Sequence, residues 1–414
     1  MNITVTPSVL AGSITAPPSK SLTLRALAAA FLSKEETVIR NPSGCDDVRN
    51  ACASLEILGT DIIEKKDHLV ILPRSPKGGI ISCGESALWL RMMAPILSLF
   101  PEAFTLTAKG SLQKRPVEMM VKPLEELGVR VIASSVPPVT VKGPLRPGSA
   151  TIDGRQTSQF ISGLLFALPL LPGPSVLNIT SLTSRPYIQM TIKFLAEYGI
   201  FIEMDKSDTV YIHGSQHFSK INYTVKGDWS GGASFLIAGA LHGPVTVSGL
   251  DSDSFQGDKA VLSVLRSAGA CINEGKNGIT VSRGSLKAFD YDATHTPDLI
   301  PPLAALAAFC HGTSRIRGVA RITQKESNRA EALSALLSGL GIPVHLSKDF
   351  IAVTGHPARG GTVASFRDHR IAMTAAIIAS GAGGDVTIEE ADSVDKSYPS
   401  FFEDFKRLGG LIHE

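Results

Sequence analysis

The stretch Ile57-Leu58-Gly59-Thr60-Asp61-Ile62 is the most informative part of this sequence, because an apolar helical pattern stops at its glycine and a strand pattern follows. Glycine adopts positive φ without a Cβ penalty and therefore commonly ends a helix. Five further stretches share this form: Glu126-Leu127-Gly128-Val129-Arg130-Val131, Glu197-Tyr198-Gly199-Ile200-Phe201-Ile202, Ser267-Ala268-Gly269-Ala270-Cys271-Ile272, Gly339-Leu340-Gly341-Ile342-Pro343-Val344 and Arg407-Leu408-Gly409-Gly410-Leu411-Ile412. Successive glycines lie 69, 71, 70, 72 and 68 residues apart, so the chain is predicted to contain six copies of one supersecondary unit.

Each repeat has room for about four strands and two helices, which predicts six βαβαββ-like units. In the first repeat we expect strands at Ile3–Val5 and Thr37–Arg40 and helices near Ser21–Leu32 and Asp47–Leu58. A hairpin-like pair through Ile62–Leu72 completes it. Periodicity alone leaves open whether the units stack as an array or group into two bodies of three.

Composition bounds the class of protein. Hydrophobic residues make up 43% of the 414 residues and charged residues 19%, which excludes disorder and predicts more than one core. The net charge of +2 gives no general attraction to nucleic acid or membrane, so any anion site must be built locally. The five cysteines form no Cys-x-x-Cys pair, as is typical of reduced cytosolic thiols, and the longest apolar run, Phe160–Leu171, is too short to span a bilayer. We expect a cytoplasmic protein.

Basic and hydroxyl residues recur in the first turns of the predicted helices. The helix starts concerned are Ser19-Lys20-Ser21, Lys114-Arg115-Pro116, Thr157-Ser158-Gln159, Ser184-Arg185-Pro186-Tyr187, Thr296-Pro297-Asp298, Lys325-Glu326-Ser327-Asn328-Arg329 and Asp368-His369-Arg370. A cation is unfavourable at a helix N-terminus by about 0.3–1 kcal/mol. Their joint occurrence indicates bound anions, because free N–H groups beside lysine, arginine or serine form a phosphate or carboxylate site. Taken singly, each is a surface or capping residue, and the doublet Asp46-Asp47 is interpreted as helix capping.

Several common cofactor signatures are absent from the sequence. There is no GxxxxGK(S/T), no GxGxxG opening a helix after a first strand, no GxSxG and no cluster with metal-ligand spacing. These absences disfavour ATP, NAD and metal chemistry, so no cofactor and no metal are expected.

At this point the residues resemble those of the 5-enolpyruvylshikimate-3-phosphate synthase family, over the full length and in the same order. The matching segments are Pro18-Ser19-Lys20-Ser21-Leu22-Thr23-Leu24-Arg25-Ala26-Leu27, Leu112-Gln113-Lys114-Arg115-Pro116, Asp153-Gly154, Thr157-Ser158-Gln159-Phe160, Ser184-Arg185-Pro186-Tyr187, Phe255-Gln256-Gly257-Asp258, Pro297-Asp298, Lys325-Glu326-Ser327-Asn328-Arg329, Asp368-His369-Arg370 and Asp395-Lys396-Ser397-Tyr398-Pro399. The resemblance implies an inside-out α/β fold of two domains, each with three βαβαββ repeats. The first domain would hold residues 1–19 and 226–414 and the second residues 20–225, with the active site in the cleft between them.

The resemblance also implies a reaction in chorismate and aromatic amino acid biosynthesis. The enolpyruvyl group of phosphoenolpyruvate would be transferred to the 5-hydroxyl of shikimate 3-phosphate by addition and elimination, with release of phosphate. Each substrate carries a phosphate and a carboxylate, which accounts for the many basic residues. These two small molecules are the expected partners of a monomer that binds neither nucleic acid nor membrane.

Site residues follow from the resemblance by position. The implied shikimate 3-phosphate ligands are Lys20, Ser21, Arg25, Thr157, Ser158, Gln159, Ser184, Tyr187, Asp298 and Lys325. The implied phosphoenolpyruvate ligands are Lys20, Ala87, Arg115, Gln159, Arg329, Arg370 and Lys396. The implied catalytic residues are Asp298, Glu326 and Lys20. Glu85, Arg91 and His369 are further candidate site residues to which no role is assigned. Asp298 would accept the 5-hydroxyl proton, and Glu326 would move a proton to and from the methylene carbon.

The segment from Cys83 to Arg91 departs from the family pattern Asn-x-Gly-Thr-x-x-Arg. Glu85 replaces the asparagine and Ala87 replaces the glycine that lets the backbone approach phosphoenolpyruvate. A carboxylate at position 85 would oppose bound anions, and the Ala87 methyl narrows the space. We therefore expect lower sensitivity to glyphosate, the phosphoenolpyruvate-site inhibitor of this family. Arg321 stands where an asparagine often contacts the shikimate ring, so that contact is not carried over.

Three alternatives stay open at this point. The sister transferase that acts on UDP-N-acetylglucosamine usually opens with Lys-Asn and uses a loop cysteine, whereas this chain has Lys20-Ser21 and no cysteine between Cys83 and Cys271. An RNA 3′-phosphate cyclase would reuse similar repeats, but no nucleotide-accepting histidine can be placed. A non-catalytic binder of small anions would explain Glu85 as decay of the site.

Overall fold

The computed structural model describes residues 1–413, and the chain divides into two compact units. Unit 1 comprises residues 1–17 and 226–414, and unit 2 comprises residues 18–225. Each unit has its own hydrophobic core. The chain passes from unit 1 to unit 2 between Pro17 and Pro18, two residues before the predicted boundary, and returns between Val225 and Lys226.

Short strands and helices alternate along the whole chain. In chain order the strands are β1 Ile3–Thr6, β2 Gly12–Thr15, β3 Thr37–Arg40, β4 Asp61–Glu64, β5 His68–Leu72, β6 Gly79–Ser82, β7 Ala103–Thr107, β8 Arg130–Ala133, β9 Val139–Lys142, β10 Ser149–Asp153, β11 Ser175–Thr180, β12 Ile202–Met204, β13 Thr209–Ile212, β14 Asn222–Thr224, β15 Val245–Ser248, β16 Cys271–Gly275, β17 Gly278–Ser282, β18 Asp290–Asp292, β19 Thr313–Arg317, β20 Val344–Leu346, β21 Phe350–Thr354, β22 Gly361–Ala364, β23 Val386–Glu389 and β24 Leu411–His413. The α-helices are α1 Lys20–Leu32, α2 Asp46–Ile57, α3 Ala87–Leu97, α4 Val121–Glu126, α5 Gln159–Ala167, α6 Arg185–Ala196, α7 Trp229–Leu241, α8 Val261–Ser267, α9 Ile300–Ala308, α10 Arg329–Gly339, α11 His369–Ser380 and α12 Phe401–Arg407.

The strands form six sheets of four strands each, three in each unit. Unit 2 contains the sheets β14-β3-β5-β4, β6-β7-β9-β8 and β10-β11-β13-β12, and unit 1 contains β16-β17-β15-β2, β18-β19-β21-β20 and β22-β23-β1-β24. In every sheet one pair is parallel and the other pairs are antiparallel. In four of the sheets a connection with one α-helix joins the parallel strands, namely α3, α5, α9 or α11. Six four-stranded repeats are therefore confirmed, although in three of them one strand comes from a distant part of the sequence.

The first strand lies where the sequence predicted it, but its assignment to the first repeat was wrong. Strand β1 pairs Thr4 with Thr387 of β23 and with His413 of β24, so it completes the last repeat rather than the first. Strand β14 instead supplies the parallel partner of β3, where Asn222 pairs with Val38. Each repeat needs four strands to bury its core face, and the two crossings of the chain deliver these strands from distant sequence.

The six glycine stops adopt the backbone conformation that the sequence predicted. Gly59, Gly128, Gly199, Gly269, Gly341 and Gly409 have φ values of 100°, 83°, 83°, 93°, 74° and 95°. This left-handed region carries a Cβ penalty for other residues, which explains why glycine recurs at each helix end.

Helices fill the interior of each unit, and sheets lie around them. Every residue of α7 and of α11 is buried, whereas strands such as Thr37–Arg40 alternate between buried and more exposed positions. A helix that is apolar all round must be enclosed, and a sheet that is apolar on one face can meet water on the other. Within residues 1–413, no helix is both long enough and apolar enough to cross a membrane.

Candidate active site

In unit 1, Arg329 contacts three carboxylates at the start of α10. Its Nε and Nη2 atoms donate to Asp368 at 2.8 and 3.1 Å, and Nη1 donates to Asp298 at 3.0 Å. Nη2 also donates to Glu326 at 2.5 Å. The Arg329 side chain is 1% exposed and that of Asp368 is 0% exposed. The carboxylates are therefore needed to compensate a buried positive charge.

Asp298 lies in the 3-10 helix Pro297–Leu299, which leads into α9. Its Oδ1 atom is 3.0 Å from Nη1 of Arg329, 3.4 Å from Nε of Arg370 and 3.5 Å from Nζ of Lys325. Burial by itself would raise the pKa of Asp298, but the charges of the three cations outweigh burial and hold that pKa well below its usual range. Asp298 is therefore ionised at neutral pH and able to accept a hydrogen bond.

A second carboxyl group in this region, Asp258, behaves in the opposite way. It is 3% exposed, and burial together with the negative charge of Asp298 raises the pKa of Asp258 to about 6, although Arg370 opposes this effect. The sequence motif that contains Asp258 gave no indication of a role for this residue. Burial was the missing signal, because a sequence does not reveal how much water reaches one carboxyl group.

The other unit 1 candidates lie at the ends of short helices. His369 and Arg370 are the first residues of α11, and the backbone N–H of Arg370 donates to Oδ1 of Asp368 at 3.0 Å. Lys396 ends the 3-10 helix Ala391–Lys396 and is 8% exposed. The prediction that Asp368 starts a helix is confirmed.

Two predicted helix starts need correction. Arg115 does not open a helix: it follows the 3-10 helix Gly110–Lys114 and is extended, with φ −88° and ψ 137°. The proline at position 116 explains this, because the residue before a proline is disfavoured in the helical region. Helix α10 begins only at Arg329, so Lys325 and Glu326 lie in the preceding loop.

In unit 2, Arg25 is a buried cation held by neutral groups. Its Nε donates to Oγ1 of Thr191 at 2.9 Å, and Nη1 donates to the carbonyl of Ser21 at 2.9 Å. Nη2 lies 3.4 Å from both Oγ of Ser162 and the carbonyl of Tyr187. In the described part of the chain these hydrogen bonds reach hydroxyl and carbonyl oxygens and no carboxylate. Burial lowers the pKa of Arg25 to about 10, so the group stays charged at neutral pH.

The hydroxyl candidates of unit 2 lie at the starts of two helices, as predicted. Thr157 and Ser158 precede α5, and Oγ1 of Thr157 accepts the N–H of Gln159 at 3.1 Å. Ser184 precedes α6 in the left-handed region, with φ 58°. A non-glycine residue is uncommon there, and such strain is concentrated at functional sites.

Lys20, the first residue of α1, pairs with Asp47. Its Nζ lies 2.9 Å from Oδ2 of Asp47, and the two side chains are 15% and 5% exposed. The interpretation of Asp47 as a capping residue was wrong, and Cys45 rather than Asp46 occupies the N-cap position of α2. Asp47 instead orients the lysine, a contact across 27 residues that no local pattern indicated.

Arg91, on α3, connects two other candidate segments. Its Nη1 donates to Oε1 of Gln159 at 3.0 Å, and its Nη2 donates to the carbonyl of Pro116 at 2.8 Å. Arg115, which is 6% exposed, immediately precedes that proline. Arg91 thus ties α5 to the segment that carries Arg115.

The two unusual residues of the 83–91 segment occupy different environments. Ala87 is the first residue of α3 and is 4% exposed. The Oε2 atom of Glu85 accepts the backbone N–H of Ser111 at 3.0 Å and its hydroxyl at 2.9 Å. The carboxylate that looked out of place in the sequence therefore has hydrogen-bond donors supplied by the chain itself.

Comparisons with known proteins agree with this architecture. The family described as EPSP synthase (3-phosphoshikimate 1-carboxyvinyltransferase) matches residues 5–405. The 3-phosphoshikimate 1-carboxyvinyltransferase of Clostridium kluyveri is 36% identical over 418 residues, covering 100% of this chain and 98% of that protein. The protein of the same description from Methanocorpusculum labreanum is 36% identical over 423 residues and covers 100% of both chains.

A solved structure of EPSP synthase from Acinetobacter baumannii superimposes with a TM-score of 0.84, at 22% identity and over 100% of both chains. At that identity the likeness concerns the fold, and it confirms the predicted fold class. The family match and the curated relatives confirm the predicted family and its transferase activity. The chain belongs to the EPSP synthase (3-phosphoshikimate 1-carboxyvinyltransferase) family.

Proposed function

We propose that the residues described above carry out the family's reaction, in which shikimate 3-phosphate and phosphoenolpyruvate give 5-enolpyruvylshikimate 3-phosphate and phosphate. The observation that carries this assignment is the state of Arg25. A buried guanidinium whose hydrogen bonds go to hydroxyl and carbonyl oxygens keeps its attraction for an anion. Arg25 binds shikimate 3-phosphate together with hydroxyl and amide groups at the helix starts of unit 2, namely Ser21, Thr157, Ser158, Gln159, Ser184 and Tyr187.

In unit 1, Asp298 is the base for the 5-hydroxyl proton. With three cations around it, its carboxylate is ionised but weakly basic. Arg329 and Arg370 are the ligands of the phosphoenolpyruvate carboxylate, and binding that anion shifts part of their attraction away from Asp298. The basicity of Asp298 rises as a result, so the base becomes active when both substrates are present.

The proton transfers balance over two steps. Glu326 first takes up a proton from solvent and then gives it to the methylene carbon, while the 5-hydroxyl oxygen bonds to the neighbouring carbon and Asp298 takes the hydroxyl proton. A proton then returns from the methyl group to Glu326, the carbon–oxygen bond to phosphate breaks, and the departing phosphate takes up the proton that Asp298 had accepted, which restores both carboxyl groups. Lys20, Arg115 and Lys396 bind the phosphate group and stabilise the charge on its leaving oxygen.

Substitution of Asp298 by asparagine tests this assignment. We expect Asp298→Asn to lower kcat by about 10²–10⁴-fold, the usual contribution of a general base, with the KM for shikimate 3-phosphate changed only a few-fold. Phosphate release is measured with and without shikimate 3-phosphate, and Asp205→Asn, in an exposed turn of unit 2, is the control. Release that does not depend on shikimate 3-phosphate would contradict the proposed reaction, and full activity of Asp298→Asn would remove its role as base.

The joint action of the two sets of residues in one site, the monomeric state and the cytoplasmic location stay predictions. Light scattering on the purified protein checks the oligomeric state against the chain mass of 43.8 kDa.

A further inference from the structure

We propose that Glu85 is a positioning residue. It fixes the loop of residues 109–116, which contains a 3-10 helix and carries Arg115, and thereby sets the affinity for the phosphate group of phosphoenolpyruvate. This inference rests on the proposed function, because it assigns Arg115 to that phosphate. From the sequence we expected the Glu85 carboxylate to oppose bound anions, whereas the contacts of Glu85 indicate a different role.

The first contact holds the start of the loop. Oε2 of Glu85 accepts the backbone N–H of Ser111 at 3.0 Å and its hydroxyl at 2.9 Å. Gly110 lies directly against the carboxyl group, since a Cβ at this position would lie 2.3–2.5 Å from the carboxyl atoms. Its φ of 50° also favours glycine. The turn is therefore shaped to receive a carboxylate.

Two further contacts hold the same loop from the same segment. The backbone N–H of Lys109 donates to the carbonyl of Gly84 at 2.7 Å. At the other end, Nη2 of Arg91 donates to the carbonyl of Pro116 at 2.8 Å. Residues 84–91 thus bind the loop before and after Arg115, and the Glu85 contact is the one made by a charged acceptor.

The chemistry of the contact suits a positioning role. A carboxylate that accepts an N–H and an O–H forms charge-assisted hydrogen bonds, which are stronger than neutral ones. Oε2 of Glu85 accepts both hydrogen bonds from Ser111. These two donors reduce the repulsion that a bare carboxylate would exert on a bound phosphate. The loop holds Arg115 in place before substrate arrives, so less ordering remains to be done on binding.

The test compares Glu85→Ala with Glu85→Gln. We expect Glu85→Ala to raise the KM for phosphoenolpyruvate about tenfold, with kcat and the KM for shikimate 3-phosphate within about twofold of wild type. Glu85→Gln keeps an oxygen acceptor of the same reach and is expected to stay within about threefold of wild type in all three parameters. Ser111→Ala, which removes the hydroxyl donor alone, should give a smaller increase that does not add to that of Glu85→Ala.

A second measurement does not depend on turnover. Amide hydrogen exchange of the peptide covering residues 109–116 should become faster in Glu85→Ala and remain close to wild type in Glu85→Gln. The matched control is Asp205→Ala, because Oδ1 of Asp205 accepts the N–H and the hydroxyl of Ser207, both at 2.8 Å, elsewhere in unit 2. This control should accelerate exchange at its own turn and leave the KM for phosphoenolpyruvate unchanged.

Each outcome decides the proposal. Unchanged exchange at residues 109–116 in Glu85→Ala would show that the carboxylate does not hold the loop. Faster exchange with an unchanged KM for phosphoenolpyruvate would show that the loop does not position a phosphate ligand. A wild-type protein without turnover would instead contradict the proposed function, and the exchange data alone would then decide whether Glu85 anchors the loop. If Glu85→Ala does not fold, Ser111→Ala and Glu85→Gln carry the comparison.

Discussion

Two buried arginines of this chain, Arg329 and Arg25, differ in the charge of the groups that they bind. Burial would lower the pKa of Arg329, but the charges of Asp368, Glu326 and Asp298 outweigh burial and raise that pKa. In the described residues 1–413 the hydrogen bonds of Arg25 go to hydroxyl and carbonyl oxygens, and burial lowers its pKa to about 10. Carboxylates stabilise the charge of Arg329, whereas the hydrogen bonds of Arg25 go to neutral groups, in agreement with the proposal that Arg25 binds an anionic ligand.

This difference predicts unequal losses of stability. Arg329→Gln leaves buried Asp368 without its counterion, which should lower the free energy of unfolding by about 3–5 kcal/mol. Arg25→Gln removes hydrogen bonds to neutral groups and leaves no carboxylate unpaired, so a loss of about 1–2 kcal/mol is expected. Urea unfolding of both variants measures the difference. Equal losses would contradict the distinction between the two sites.

The alanine at position 87 leads to a prediction about inhibition by glyphosate. Its methyl group is buried at the first turn of α3, at the position where the family typically has glycine. We expect Ala87→Gly to increase sensitivity to glyphosate, because removal of the methyl widens the space available at the phosphoenolpyruvate site. Inhibition curves at equal ratios of phosphoenolpyruvate to its KM give the comparison. No gain in sensitivity would rule out the methyl group as the cause.

At the scale of elements, the ends of the buried helices carry most of the polar chemistry. The N-termini of α1, α5, α6 and α11 present the candidate ligands. At the C-terminal end of α7, His242 lies beside Ser380, the last residue of α11. Nε2 of His242 is 2.8 Å from Oγ of Ser380. Burial, with a smaller effect of the Arg283 charge, lowers the pKa of His242 to about 4.

The lowered pKa predicts a loss of stability in acid. As pH falls below 6.5 the unfolded chain takes up a proton at His242, while the folded protein does so only near pH 4. The stabilisation that neutral His242 gives to the folded protein is therefore complete above pH 6.5. It is lost between pH 6.5 and 4, which lowers the free energy of unfolding by on the order of 2 kcal/mol. Thermal unfolding from pH 7.5 to 4 measures it. His242→Gln should show a shallower loss over this range, and identical pH profiles would contradict the prediction.

At the scale of the whole molecule, each of the two units has its own core, and some of its sheets combine strands that are distant in the sequence. Unit 2 is continuous in sequence and has its own core of buried residues. Its first sheet is completed by β14, which lies at the end of the unit and pairs with β3. Unit 1 depends on both termini, because β1 and β2 join sheets formed by the second half of the chain.

This arrangement predicts that a fragment of residues 18–225 folds alone and lacks transferase activity. A fragment of residues 18–219 omits β14 and the buried side chains of Ile221, Tyr223 and Val225. Their loss should lower the free energy of unfolding by on the order of 4 kcal/mol or more. Circular dichroism and urea unfolding of the two fragments check this. An unfolded 18–225 fragment would show that unit 2 requires the rest of the chain.

Local sequence determined the repeats and most helix starts of this protein. Three local signals could be recognised in the sequence because each acts over a few residues. They are a glycine at positive φ, a helical apolar period and a hydroxyl before a helix. The motifs around Arg25, Asp298 and Arg329 likewise indicated the family.

Tertiary structure alone decided which distant groups meet. Strand β1 closes the last repeat, Asp47 pairs with Lys20, Glu85 binds Ser111, and Arg329 draws Asp368 and Asp298 together. These contacts join residues from about 26 to 385 positions apart, and their geometry follows from the packing of whole elements. Burial, which sets the opposite pKa shifts of Asp258 and Asp298, exists only once those elements have assembled.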